Sequence, residues 1–91
     1  MGDLNTGSVN QCQAMREPTF GEKAVGLSFN PSGDPTVQKL KELYAQIIDI
    51  CNDAKNATTP AEPGKGRLFS IAITEAQGAQ MWAVKAATWK D

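Results

Sequence analysis

The stretch from 67 to 89, RLFSIAITEAQGAQMWAVKAATW, constrains the fold of this chain more than any other, because it has no proline and a single glycine. It is rich in alanine, with leucine, methionine, glutamine, glutamate and lysine between, and these residues lose little side-chain entropy in a helix. We therefore predict one helix over about 67–89. Apolar residues occupy most of its circumference, whereas an ordinary surface helix has one apolar stripe. Since a 91-residue chain has few surfaces of its own to cover such a helix, we expect a helical-bundle homo-oligomer.

The remaining residues of this helix form a narrow stripe. They are spaced by threes and fours and fall largely on one line: Arg67, Ser70, Thr74, Gln77, Met81, Lys85 and Thr88. Inside an assembly, short donors and two cations on one line would border a small polar cavity. The alternative is the solvated edge of a packed helix, and the pattern alone leaves both interpretations open.

Composition narrows the functional classes. A net charge of −1 argues against a binder of DNA or RNA polymers, which would carry a basic field over one face. No run approaches the roughly 18 apolar residues of a membrane span, and the start of the chain lacks the order of a signal peptide. We therefore expect a cytoplasmic protein with no membrane partner. Cys12 and Cys51 are interpreted as free thiols.

The chain contains no histidine, which excludes Ser–His and Cys–His nucleophile pairs and any histidine-bearing metal site. Two cysteines are too few for a structural zinc. No glycine-rich phosphate loop occurs, and no pair of carboxylates can be singled out from the sequence. We therefore expect a protein that is not an enzyme and has no catalytic residues, metal or cofactor.

The first part of the chain shows little pattern. Residues 1–28 predict an N-terminal arm that is partly mobile, because 1–11 are rich in Asn, Gly, Ser and Thr without a period. Within 13–26 we expect at most a short helical turn or an extended piece. The segment 29–35, FNPSGDP, marks a turn by its two prolines and glycine. Asp34 and Pro35 are typical of an N-cap and a first helical residue.

A second helix is predicted over about 35–54. Its apolar residues recur at the helical period: Val37, Leu40, Tyr44, Ile47, Ile48 and Cys51. Lys41 lies off this stripe, and a solvated helix lysine is the simplest interpretation of it. A linker, 55–66, then joins two helices of similar length, which predicts an antiparallel helical-hairpin domain over 29–91. Arg67 is expected to open the second helix, either beside a bound anion or fully solvated.

The order of these motifs resembles a known family. The sequence is similar to the helical-hairpin domain of phage anti-defence proteins. The similarity lies in four features in this order: FNPS, a helix ending in IIDIC, a variable linker and R-x-x-S-x-A-x-T-E-x-x-x-A-x-M-W-A. These are the anti-CBASS cyclic-nucleotide sponges and the hairpin of the Thoeris anti-defence sponges. The similarity covers about 29–89, and its most specific part is Ser70-x-Ala72-x-Thr74 followed by Met81-Trp82-Ala83. Residues 1–28 match nothing in the family.

The resemblance implies a homohexamer of hairpins that captures cyclic dinucleotides, cyclic trinucleotides or both without cleaving them. Such a protein would act in the cytoplasm of the infected bacterial host and antagonise CBASS-type immunity. The alternative is a helical-hairpin assembly or interaction protein with no small-molecule ligand. A phosphodiesterase that uses the same cavity is a third and weaker hypothesis.

The resemblance also implies two pockets. In the family, a loop aromatic stacks on a base of a cyclic dinucleotide, and a basic residue of the first helix holds phosphate across a subunit boundary. These roles map onto the loop residues Phe29, Asn30 and Pro31 and onto Lys41. The family's pocket for cyclic trinucleotides lies on a three-fold axis and maps onto Arg67, Ser70 and Thr74. Two departures are that the loop aromatic is commonly tyrosine and that the spacing from Phe29 to Lys41 is shorter here.

Overall fold

The computed structural model of this protein describes residues 16–91. This range is all-α and contains α1 (Phe20–Val25), α2 (Pro35–Asn56) and α3 (Pro63–Ala87). The two long helices pack against each other as a hairpin, and α1 packs mainly on α2. The predicted all-α hairpin is therefore confirmed, while the homo-oligomer stays a prediction. The predictions for residues 1–15, including the thiol of Cys12, lie outside the described residues.

α1 is a short helix with a cap at each end, whereas the sequence predicted at most a short helical turn or an extended piece here. The Thr19 hydroxyl accepts a hydrogen bond from Glu22 N, and the Glu22 carboxylate accepts one from Thr19 N, so the two residues form a capping box. Such reciprocal bonds satisfy N–H groups that a helix start otherwise leaves unpaired. Gly26 ends the helix in the left-handed conformation, with φ of 64°, where a side chain would be strained.

α2 begins as predicted and ends slightly later. Asp34 caps it by accepting a hydrogen bond from Thr36 N at 2.7 Å, and Pro35 is its first residue. The helix ends at Asn56, about half a turn beyond the predicted 54. Its buried face holds Val37, Lys41, Ala45 and Ile48. The interpretation of Lys41 as a solvated lysine is wrong, because the residue is only 6% exposed.

The core lies where the three helices meet. Its buried residues are Val25, Ala45, Ile48 and Ile73, with Leu27, Tyr44, Cys51 and Ala76 packed against them. Cys51 is a free thiol at the edge of this core. Ile47, placed on the apolar stripe by the sequence pattern, is instead 48% exposed. The buried face of α2 is therefore rotated from the predicted stripe toward the line of Lys41 and Ala45.

α3 begins at Pro63, about one turn before the predicted start at Arg67. Proline suits a first helical position because its missing N–H would have no partner there. The connection to α2 shortens accordingly, and Glu62 closes it by accepting a hydrogen bond from Thr59 N at 3.0 Å. Arg67 thus lies inside the helix and does not open it. The helix ends at Ala87, so Trp89 follows the last turn.

Candidate functional site

The structure brings together Phe29 and Lys41, two residues assigned to one pocket by the family resemblance. Phe29 lies in the middle of the α1–α2 connection, residues 26–34, and is 70% exposed. The Lys41 ammonium lies 5.5 Å from the centroid of the Phe29 ring, within the range of a cation–π contact. An exposed aromatic face supported by a buried cation is an arrangement suited to stacking on a planar ligand.

Lys41 also holds the backbone of the connecting loop. Its Nζ donates hydrogen bonds to the carbonyl oxygens of Gly26, at 3.1 Å, and of Phe29. The two acceptors lie at either end of the turn that follows α1, where Phe29 N donates to Gly26 O at 2.9 Å. The ammonium is thus already engaged by neutral acceptors, and its first role in this structure is to fix the position of the Phe29 residue.

The rest of the loop is organised by Asn30. Its side-chain nitrogen donates to Asp34 O at 3.2 Å, and its side-chain oxygen accepts from the Ser32 hydroxyl at 2.8 Å. Gly33 N donates to Asn30 O at 3.1 Å, and the φ of Gly33 is 65°. Both ends of the Asn30 amide are therefore used inside the loop, so this residue shapes the loop. Pro31 is exposed at its surface.

The residues that anchor the start of α1 to α2 were not predicted from the sequence. The Asp49 carboxylate accepts hydrogen bonds from Thr19 Oγ1 and from Gly21 N, both at 2.7 Å. At Gly21 the helices touch closely, because a Cβ there would lie 2.1 Å from Ala45 O. Lys41, Ala45 and Asp49 recur every four residues and so lie on one face of α2. That spacing is a signal that the sequence contained.

An ion pair completes the start of α1. The Arg16 guanidinium donates to both carboxylate oxygens of Glu22, at 3.0 and 2.8 Å. This bidentate hydrogen bond is the main reason that the pKa of Glu22 is lowered from its ordinary value, and the bond from Thr19 N acts in the same direction. The pKa of Arg16 is raised by the same contact. At neutral pH both groups are charged, and the pair stabilises the start of α1.

The second group of assigned residues lies on α3. Ser70 Oγ donates to Gly66 O and Thr74 Oγ1 donates to Ser70 O, both at 3.2 Å. The hydroxyl protons are therefore used within the helix, and the oxygens remain available as acceptors. Arg67 is exposed. Among residues 16–91, no hydrogen bond joins this group to the loop of Phe29, and the assignment of the two groups to two pockets stays a prediction.

Two cavities adjoin these groups. One, of about 400 Å³, lies between α1 and α3 and is lined by Ala24, Thr74, Gln77, Gly78, Gln80 and Met81. The other, of about 620 Å³, lies between the loop and the end of α3 and is lined by Ser32, Gly33, Asp34, Pro35, Ala87, Thr88, Trp89 and Lys90. The sequence analysis had assigned neither Gln80 nor Lys90 to a site.

The described part of the chain offers no site for a metal ion, since no three His, Cys, Asp or Glu residues cluster there. None of the described helices is both long and apolar enough to cross a membrane. The arrangement can stack a ring at Phe29 and present a cation and acceptor oxygens on α3. These are binding features.

Comparison with known protein families identifies the hairpin. A family model described as the Acb2/Tad1 hairpin domain matches residues 22–88. The matched range starts within α1, before the point at which the sequence resemblance began, and it includes all seven residues assigned to the pockets. Searches of curated proteins and of solved structures gave no match. Since the family model covers most of the chain, the chain belongs to the Acb2/Tad1 hairpin-domain family, that of the phage anti-CBASS and anti-Thoeris sponges.

Proposed function

We propose that this protein binds and sequesters cyclic oligonucleotide second messengers without cleaving them, and so antagonises CBASS-type immunity in the cytoplasm of the infected host. The observation that carries the proposal is the exposed Phe29 ring held over the buried Lys41 ammonium, in a chain of the sponge family. Members of that family are generally non-catalytic binders.

The Phe29 pocket would take a cyclic dinucleotide. A base stacks on the exposed ring, a contact that all four bases can make because each has a π-face. Lys41 contributes by holding the ring in place, and its charge lies below the ring where it favours a nearby phosphate. Asn30 and Pro31 give the loop its shape. This assignment gives Lys41 a structural part in the pocket in addition to the phosphate contact inferred from the family.

The α3 pocket would take a cyclic trinucleotide. Three copies of α3 around a three-fold axis would present three Arg67 side chains and the acceptor oxygens of Ser70 and Thr74. Such a pocket exists only in an assembly, and the exposed surface of α3 favours one. Trp82, for example, is 71% exposed in the single chain, and Leu68 and Met81 are similarly exposed. We propose a homohexamer, in which other copies cover these side chains.

Native mass spectrometry with a panel of cyclic di- and trinucleotides tests the proposal directly. We expect a hexamer that retains ligand, with dinucleotides and trinucleotides bound at the same time. An assembly that binds no member of the panel would instead favour the hairpin assembly protein. A folded monomer that binds nothing would contradict both hypotheses.

Two pairs of substitutions test the separate pockets. Phe29→Ala and Lys41→Ala should weaken dinucleotide binding, and Arg67→Ala and Thr74→Ala should weaken trinucleotide binding. Each change should cost on the order of 1–3 kcal/mol in isothermal titration calorimetry. Each pair is the control for the other. Equal effects of all four substitutions on both ligands would show that the two-pocket assignment is wrong.

Recovery of the ligand tests sequestration against hydrolysis. Cleavage of a phosphodiester needs a metal, a base near neutrality or an activated nucleophile, and the chain contains no histidine. Ligand mixed with protein should disappear from free solution and return intact after heat denaturation. Linear nucleotides after hours of incubation, with or without magnesium or manganese, would place the protein among phosphodiesterases.

A further inference from the structure

Gln80 is a buried polar residue that the proposed function leaves without a role. The residue is only 5% exposed, yet its side chain makes no hydrogen bond with any other residue of 16–91. The other buried residue with a long polar side chain, Lys41, donates to two carbonyl oxygens. An amide that is removed from water and left without partners destabilises the folded chain. In native structures such a group calls for an explanation, such as strain, a functional role or a bound water or ion.

The space beside Gln80 has a definite chemical character. Among the described residues, none that lines the cavity of about 400 Å³ is charged. Ala24, Gly78 and Met81 give it apolar walls, and polar groups come from Thr74, Gln77 and Gln80. A phosphate would find no counter-charge there. A neutral, flat group with a polar edge would find both apolar contact and hydrogen-bond partners.

We propose that this cavity receives an adenine base of the bound cyclic oligonucleotide and that Gln80 pairs with its edge. The inference rests on the proposed function and adds base recognition to it. A glutamine amide can pair bidentately with adenine, its Oε1 accepting from the N6 amino group and its Nε2 donating to N7. Guanine presents two acceptors, O6 and N7, on that edge, which would leave Oε1 without a donor.

Two neighbouring residues support this placement. Met81 lies in the wall of the cavity, and its flexible, polarisable side chain makes favourable contacts with aromatic rings. Thr74 lines the same cavity and also belongs to the group assigned to the trinucleotide pocket. The cavity is therefore continuous with the α3 stripe, so a base in the cavity and a backbone on the stripe can belong to one ligand.

The test replaces the amide by apolar groups of similar size, with Gln80→Leu and Gln80→Met. Gln80 has no hydrogen-bond partner among residues 16–91, and an unpaired buried amide destabilises a folded protein, so both variants should raise the melting temperature, by roughly 4 °C or more. Both should also weaken the binding of cyclic triadenylate by roughly 10- to 100-fold, the worth of one bidentate base contact. Gln46→Leu, a change at an exposed glutamine of α2, is the matched control and should alter neither quantity.

The outcomes separate this inference from the proposed function. A wild-type protein that binds cyclic triadenylate, with Gln80 variants that bind it equally well, would overturn the inference alone. A lower melting temperature of both variants would show that Gln80 is paired in the free protein, and this too would overturn it. A wild-type protein that binds no cyclic oligonucleotide would overturn both. Higher stability combined with weaker binding is the result that supports the proposal.

Discussion

α2 and α3 are similar in length and pack along each other, but their burial differs. α2 has 22 residues and buries Val37, Lys41, Ala45 and Ile48. α3 has 25 residues and buries only Ile73 and Gln80. The difference arises because α2 is covered by both other helices, whereas α3 contacts mainly α2. Within residues 16–91, α2 is therefore the better covered of the two helices, although its Leu43, Ile47 and Ile50 are also exposed, and most of the apolar surface of α3 is uncovered.

The largest expected effect tests whether other copies of the chain cover the exposed apolar face of α3. Trp82→Glu places a charge on the exposed apolar face of α3, and in an assembly that face becomes buried. An unpaired buried carboxylate costs several kcal/mol, so we expect the assembly to dissociate or unfold. Light scattering at micromolar concentration measures the change. If the wild type is itself a well-folded monomer under these conditions, the comparison between the two helices does not indicate assembly.

The next prediction tests how closely α1 packs on α2. Gly21→Ala should lower the free energy of unfolding by about 1–3 kcal/mol, as overpacking does, because the new Cβ would lie 2.1 Å from Ala45 O. Displacing α1 should also weaken the dinucleotide pocket, since α1 leads directly into the loop of Phe29. Thermal melting measures the stability. Gly64→Ala is the control, because nothing lies within 4 Å of a Cβ there. Equal effects of the two substitutions would contradict the close α1–α2 contact.

Lys41→Met tests whether the buried ammonium is structural. Removing it leaves the carbonyl oxygens of Gly26 and Phe29 without their donor, at a cost of about 1–3 kcal/mol. Urea denaturation measures the loss. Lys39→Met, at an exposed lysine of the same helix, should change stability by no more than about 0.5 kcal/mol. A Lys41 variant as stable as the Lys39 variant would restore the solvated interpretation of Lys41.

Gly78→Ala tests whether another copy of the chain packs closely on α3. Among the described residues of the single chain, nothing lies within 4 Å of a Cβ at this position. Alanine should therefore stabilise an isolated hairpin by up to about 1 kcal/mol through helix propensity. If another copy packs closely on Gly78, the substitution should weaken the assembly instead. Melting temperature and native mass, measured together over a range of concentrations, distinguish the two results.

The smallest effect concerns the pH dependence of α1. The pKa of Glu22 is lowered from 4.5, mainly by its hydrogen bonds with Arg16. The stabilisation is therefore complete above the unfolded-state value and is lost as pH falls through the lower folded-state value. Its size is at most about 1 kcal/mol, as for other partly exposed ion pairs. Glu22→Gln should be less stable than wild type at neutral pH, and the difference should shrink on acidification well below 4.5. A difference independent of pH would exclude the ion pair as its cause.

Much of the fold follows from local patterns in the sequence. The cap at Asp34, the proline at the first position of α2 and the long alanine-rich helix were all predicted, because each depends on residues within one or two turns. The start of α3 was misplaced because Gly64 and Gly66 weaken the helical pattern, while Pro63 marks a helix start only in retrospect. The capping box of Thr19 and Glu22 was present in the sequence and overlooked.

The site depends more on contacts between distant segments, and these were harder to predict. Lys41 was selected through the family resemblance and assigned to solvent by its position off the apolar stripe. Its burial depends on the loop folding back over α2, which periodicity does not describe. Asp49 lies off the apolar stripe of α2, yet it accepts hydrogen bonds from the start of α1, 28 and 30 residues away in sequence. The ligand contacts of the seven assigned residues remain predictions.

Both tryptophans of the chain, Trp82 and Trp89, lie at the C-terminal end of the molecule, one in the last turns of α3 and one just after it. The Lys85 ammonium lies 5.5 Å from the Trp82 ring and 5.8 Å from the Trp89 ring. Intrinsic fluorescence excited at the red edge of the absorption band therefore reports on this region and is silent about α1 and α2. A blue shift in emission on increasing protein concentration would show, without any label, that the surroundings of these tryptophans become less exposed to water.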